Sequence, residues 1–302
     1  MPSIRYRIAV LLVRLNTLIQ MEAFTPIRYQ RWWFDGVVPR LATRIKGVRY
    51  EALDISGMPA EWAIPQDARD GQAILYLHGG AYVVGSIASH RMLVSQLAKE
   101  AGCRALAVEY RLAPENPFPA AVEDAVKVYE WLIARGYKAG NTVLAGDSAG
   151  GGLAVAAMLS LRDAGSPMPA AAMLLSPWTD MEVSGDCVKN VRDDPMLSAR
   201  ALRREAAMYL GGEDPRHPLA SPIYAELYGL PTMLIQAGTR EILLDDARRL
   251  AERAREAGTE VELDVWEGMF HVWQFFAPLV PESNAAVAKL GRYAREKMAA
   301  GA

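Results

Sequence analysis

The chain of 302 residues lacks several features that mark large functional classes. It has two cysteines, Cys103 and Cys187, and no Cys/His cluster, which excludes a disulfide scaffold and a structural zinc site. It has no excess of one charge: 33 Lys and Arg stand against 35 Asp and Glu, a net charge of −2. That balance excludes the basic footprint of a nucleic-acid binder and the repulsion that keeps a chain disordered. Long apolar runs are also missing. In the most hydrophobic stretch, Ile4 to Met21, the unbroken run Ile8–Val13 ends at Arg14. A spanning helix needs about 20 apolar residues and a signal-peptide core about 7–15, and no small-residue cleavage pattern follows. Instead Ile4, Ile8, Leu11, Leu12, Leu15, Leu18 and Ile19 recur at helical spacing, with Arg7, Arg14 and Gln20 largely elsewhere. The pattern predicts an amphipathic helix packed on the body of a cytoplasmic protein, with reversible membrane-surface association as the alternative.

What is present is an alternation. Strand-like runs at Val48–Leu53 and Glu61–Ile64 flank a turn at Ser56-Gly57-Met58-Pro59. Strands then follow at Ala73–Leu77, Arg104–Val108, Thr142–Ala145, Ala170–Leu175, Thr232–Ala237 and Val261–Trp266. Helices fall near Ala88–Ala101, Ala120–Ala134, Ala149–Asp163, Ala199–Leu210, Leu244–Ala257 and Asn284–Ala299. This predicts an α/β protein: eight strands in a mostly parallel sheet with helices on both faces. The stretch between Leu175 and Thr232 is too long for a simple crossover and predicts an insertion at about 177–230. With residues 1–46 it would form a helical cap on one catalytic domain spanning 47–302. The last strand would lie at a sheet edge, where it could pair across a homodimer.

Residues 146–150 read Gly146-Asp147-Ser148-Ala149-Gly150, between a strand and a helix rich in small residues. A sharp strand-to-helix turn projects a serine hydroxyl from the sheet, and small neighbours are needed to avoid collision. Ser148 is the candidate nucleophile, against the plainer reading of a glycine-rich helix start packed on the sheet. After the strand ending at Leu77 comes His78-Gly79-Gly80-Ala81, where a glycine-rich backbone could bring N–H donors up to a developing oxyanion. His78 precedes these glycines and suits a loop-holding role. Of the four histidines, His271 alone follows the last strand, so it is the candidate base. His90 and His217 suit solvated or capping roles. The acid should follow the strand Thr232–Ala237. Glu241 is nearest the strand end, and Asp245, one turn later, is the alternative.

Together these residues resemble the hormone-sensitive-lipase-like bacterial esterases. The resemblance rests on His78–Ala81, Gly146–Gly151, the segment Glu241–Asp245, His271 and the run Tyr110-Arg111-Leu112-Ala113-Pro114-Glu115 with Pro117-Phe118-Pro119-Ala120-Ala121, and it covers about residues 45–300. It implies the α/β-hydrolase fold with a cap, and a triad of Ser148, Glu241 and His271. Gly80, Ala81 and Ala149 match the family's oxyanion donors, while His78, Gly79 and Asp147 match its structural positions. Two positions depart from the family: glutamate stands where aspartate is usual at 241, and alanine replaces the third loop glycine at 81. The implied activity is hydrolysis of short to medium acyl esters of small molecules, with no metal or organic cofactor. The same residues would also suit a lactone hydrolase or a deacetylase, and a ligand receptor on this fold is the remote alternative. Trp32, Trp33, Phe34, Tyr82, Trp178 and Met181 could line the pocket or form cap core.

Overall fold

The computed structural model describes residues 2–20, 25–41, 44–191 and 193–300. Helix α1 (Ile4–Gln20) is followed by α2 (Ile27–Arg31), which runs through a π-helical stretch at Trp32–Val37 into α3 (Val38–Leu41). The strands are β1 (Val48–Ile55), β2 (Met58–Pro65), β3 (Ala73–Leu77), β4 (Arg104–Val108), β5 (Thr142–Asp147), β6 (Ala171–Leu175), β7 (Met233–Gly238) and β8 (Val261–Trp266). The remaining helices are α4 (Ile87–Ala101), α5 (Ala120–Ala134), α6 (Ala149–Asp163), α7 (Cys187–Asn190), α8 (Ala199–Leu210), α9 (Leu244–Glu256) and α10 (Pro281–Ala300).

Among the described residues the eight strands form one sheet in the order β1-β2-β4-β3-β5-β6-β7-β8. β2 pairs antiparallel with both β1 and β4, and the other pairings are parallel. The turn between β1 and β2 is tighter than the sequence suggested. Ser56 and Gly57, both at positive φ, make a two-residue hairpin, and Met58 and Pro59 already belong to β2. β3, β5, β6 and β7 are buried along their whole length, as covering on both faces requires. Successive residues of β3 feed opposite layers. Leu75 and Leu77 pack with α5, α6 and α9, whereas Ile74 and Tyr76 pack with α4 and α10.

Between β6 and β7 runs a stretch of chain carrying α7, α8 and a 3₁₀ turn at Pro222–Tyr224. It meets the N-terminal segment directly: Thr17 Oγ1 donates to Pro195 O at 3.0 Å, and an Arg204 guanidinium N–H donates to Thr25 O at 3.0 Å. The N-terminal helix forms where the periodicity placed it, but it packs by a different face. Tyr6, Ala9, Val10 and Val13 are buried against Met269, Phe270 and Trp273, while Ile4, Ile8, Leu11, Leu12 and Leu15 face outward. The side chains of Leu18, Ile19 and Gln20, and Met21, lie outside the described residues. Periodicity found the apolar positions. The Tyr6 hydroxyl, which bonds the backbone beneath the helix, turned the other face inward.

Candidate active site

The carboxyl ends of β3, β5, β6, β7 and β8 converge, and their loops carry the chemistry-bearing residues, as expected for a parallel sheet. β5 ends at Asp147 and α6 starts at Ala149, leaving Ser148 alone in the turn at φ 52° and ψ −122°. A non-glycine residue there carries on the order of 1–3 kcal/mol of strain. Surrounding bonds hold it in place. Ser148 N–H donates to Leu175 O at 2.8 Å, and Ser148 O accepts from the N–H groups of Gly151, Gly152 and Trp178. The turn also depends on close approach, because a Cβ at Gly150 would lie 2.0 Å from Leu77 O.

His271 joins this serine to the β7 loop. Its Nε2 lies 2.9 Å from Ser148 Oγ and its Nδ1 lies 3.0 Å from Glu241 Oε2. With a carboxylate accepting at Nδ1, that nitrogen carries the hydrogen and Nε2 presents its lone pair to the serine hydroxyl. Glu241 is fully buried, and its Oε1 accepts from Gly238 N–H at 2.9 Å. Asp245, the alternative acid, is engaged elsewhere: it accepts from Cys187 N–H at 2.6 Å and lies 3.7 Å from Arg248.

The loop after β3 packs directly on the serine turn. Gly79 N–H donates to Asp147 Oδ1 at 3.0 Å, and Tyr110 OH donates to His78 O at 2.7 Å. Gly80, Ala81 and Tyr82 all take positive φ, at 110°, 54° and 63°. At position 81 the missing glycine is replaced by an alanine held in the left-handed region, at a cost of about 1–2 kcal/mol. The Gly80 and Ala81 N–H groups donate to no acceptor among the described residues. The N–H of Ala149, in the first turn of α6, has no intrahelical acceptor. These donors were singled out from sequence, and the fold places their loops together.

His78 is buried and stacked on Tyr110 at 4.2 Å. Burial, aided by the neighbouring His90, pushes its pKa down to about 3, so it stays neutral. The sequence placed His90 in solvent or at a cap, and the structure corrects this. His90 is completely buried, with Nε2 3.4 Å from Asp147 Oδ1 but poorly aligned for a hydrogen bond. Burial pushes the Asp147 carboxyl up, yet His90, Tyr76 and His78 together outweigh it and hold it below its ordinary value. His217 is half-buried, and its Nδ1 accepts from Leu219 N–H at 3.2 Å within a turn. Tyr82, Trp178 and Met181 are buried core, with Tyr82 stacked on Tyr209 at 3.7 Å, whereas Trp32 is largely exposed. Two clefts, of about 420 and 290 Å³, lie on other parts of the surface and contain none of Ser148, Glu241 and His271.

Three supporting residues escaped the sequence reading. Tyr6 OH donates to Gly268 O at 2.6 Å and accepts from Phe270 N–H at 3.0 Å, gripping the segment just before His271. Burial pushes its pKa up to about 12, so it remains a phenol. Ser176 Oγ accepts from Val272 N–H at 3.1 Å, just after His271. Asp194, from the stretch between β6 and β7, accepts from Ile242 N–H at 3.0 Å beside Glu241, and from the N–H groups of Met196 and Leu197. Burial raises its carboxyl above the ordinary value, outweighing the nearby His271 and the N–H groups it accepts from. No local pattern marks any of them, because each acts on a segment far away in sequence.

Comparison with known proteins agrees with this fold. A profile of the α/β hydrolase fold matches residues 74–275. An acetyl-hydrolase of Streptomyces hygroscopicus is 49% identical over 247 residues, covering 81% of this chain and 82% of that one. An esterase of Acinetobacter venetianus is 34% identical over 257 residues, covering 84% of each. Among solved structures, an esterase from the bacterial hormone-sensitive lipase family superposes with a TM-score of 0.93 at 45% identity, over 99% of both chains. A hormone-sensitive lipase from a metagenome library superposes with a TM-score of 0.90 at 38% identity, over 96% of this chain and 98% of that one. The chain belongs to the α/β-hydrolase-fold family, among the bacterial hormone-sensitive-lipase-like esterases.

Proposed function

We propose that this chain is a serine carboxylesterase acting through Ser148, His271 and Glu241. The observation that carries this is His271 within hydrogen-bond reach of both partners at once, Ser148 Oγ at 2.9 Å and Glu241 Oε2 at 3.0 Å. His271 takes the hydroxyl proton as Ser148 Oγ attacks the ester carbonyl. Glu241 holds the ring in the required tautomer and stabilises the imidazolium. The N–H groups of Gly80, Ala81 and Ala149 receive the oxyanion, where loss of one donor typically costs about 10²–10³ in rate. Collapse expels the alcohol, which takes its proton from His271. Water then attacks the acyl-serine, gives a proton to His271, and Ser148 regains it as the acid leaves.

Replacing Ser148 by alanine should abolish p-nitrophenyl acetate hydrolysis while leaving the fold intact, and near-native turnover would overturn the assignment. A fluorophosphonate should label Ser148, and failure to label would favour a ligand receptor. Similarity to an acetyl-hydrolase supports short acyl groups. Residues 1–46 and about 177–230 serve as the cap, supported by the contacts between them and by Arg31, whose guanidinium donates to Val83 O and Ala113 O at 2.7 Å beside the β3 loop. Rates that rise with chain length as far as palmitate would contradict the short-acyl preference. The edge position of β8 supports a homodimer through that strand, testable by light scattering. Among the described residues no helix is long and apolar enough to cross a membrane.

A further inference from the structure

Helix α1 has two apolar faces and buries only one. Tyr6, Ala9, Val10 and Val13 anchor it to the body, while Ile4, Ile8, Leu11, Leu12 and Leu15 are 75%, 52%, 66%, 55% and 53% exposed. At 100° per residue the exposed set forms a stripe about 100° wide along the helix. Arg5 borders it on one side, and Arg7 and Arg14 on the other. Arg5 donates to the carbonyl of Leu279, itself 50% exposed, so the apolar surface continues past the end of the helix. Five aliphatic side chains exposed on one helix are a large departure from a scattered surface.

Charge says what the face suits. Residues 1–46 contain eight Lys or Arg and two Asp or Glu, a net charge of +6, whereas the other 256 residues carry −8. Beside the stripe, Arg7, Arg14 and Arg240 line a cleft of about 290 Å³ in which Asp193 pairs with both Arg14 and Arg240. We propose that this face of α1 docks the protein on an anionic lipid surface. The aliphatic stripe enters the acyl boundary, and the bordering arginines keep their guanidinium groups at headgroup level. Such a helix lies in the interface plane, and α1 needs no rearrangement to do so because its inner face is already anchored. The stripe carries no polar group for directional recognition. Two copies meeting face to face would bring the arginines that border the stripe, Arg5, Arg7 and Arg14, against their own copies, which disfavours self-association here.

The test is co-sedimentation with sucrose-loaded phosphatidylcholine vesicles, with and without phosphatidylglycerol, at about 0.1 M salt. Wild type should pellet with the anionic vesicles and bind the neutral ones about tenfold less. Leu11→Ser/Leu15→Ser should lose anionic binding by about tenfold or more and still hydrolyse dissolved p-nitrophenyl butyrate at the wild-type rate, because neither side chain is buried. Arg5→Gln/Arg7→Gln should weaken binding and reduce its salt dependence. The proposal is overturned if wild type fails to pellet with anionic vesicles, whatever acidic protein it then binds. It is also overturned if it pellets equally with neutral ones, or if the leucine double variant still binds. Light scattering that shows a dimer dissolved by the double variant would assign the stripe to a second copy.

Discussion

Two buried histidine–carboxylate pairs lie beside Ser148, and they differ in what they can reach. His271 sits between Glu241 and the serine hydroxyl with both ring nitrogens bonded. His90 faces Asp147 at 3.4 Å without hydrogen-bond alignment, and its ring is packed among His78, Tyr76, Phe34 and Phe275. Asp147 Oδ1 accepts from Tyr76 OH at 2.7 Å and from Gly79 N–H at 3.0 Å. The first pair is therefore placed to move a proton, while the second keeps a carboxylate charged and ties the β3 loop to the serine turn. Burial beside a carboxylate does not make a histidine a general base. A reacting atom within reach of its free nitrogen does.

The contrast can be broken in order of expected effect. Removing the proposed nucleophile in Ser148→Ala should lower kcat by about 10⁴–10⁶, read against a p-nitrophenyl ester with thermal unfolding as control. Glu241→Ala should cost about 10³–10⁴ and alter the acid limb of the pH–rate profile, whereas Asp245→Ala should stay within about threefold of wild type. The opposite ranking would hand the acid role to Asp245. Asp147→Ala should cost about 10²-fold by loosening the loop after β3, with the acid limb unmoved. A displaced limb there would mean that His90 and Asp147 take part in proton transfer.

A third buried carboxylate sharpens the point through stability. Asp246 accepts from Thr179 N–H at 2.8 Å, but burial, with the like charge of Asp180 nearby, pushes its pKa up to about 8 from the ordinary 3.8. The folded chain then holds this proton more tightly than the unfolded chain. Its contribution is most favourable below the unfolded pKa, and it falls by on the order of a few kcal/mol as pH rises to about 8. Asp246→Asn should gain thermal stability relative to wild type as pH rises across that window, and parallel melting curves at every pH would contradict this. Asp147 should behave oppositely, since its neighbours keep its carboxyl low.

Much of this was legible in the sequence because the relevant physics is local. Helices at Ala120–Ala134, Ala149–Asp163 and Ala199–Leu210 have the predicted bounds, since apolar period and small residues mark them directly. Ser148 was legible because its turn needs Gly146 and Gly150 within the same few residues. His271 was legible from its order after the last strand. Glu241 was separated from Asp245 only by geometry, because both lie on one short segment and either could have turned toward the ring. His90 was misjudged because a histidine at a helix start gives no sign of what will be packed over it.

By itself the sequence determined where the eight strands and the longer helices form, which serine is strained and which histidine follows the sheet. Those properties depend on neighbouring residues and on chain order, and one strand cannot trade its buried face for a polar one. Only the tertiary structure decided which apolar face of α1 turns inward, and that Tyr6, Ser176 and Asp194 brace the segments bearing His271 and Glu241. Periodicity alone leaves two apolar faces of one helix equivalent. The choice between them falls to a hydroxyl meeting a carbonyl and an N–H more than 260 residues away.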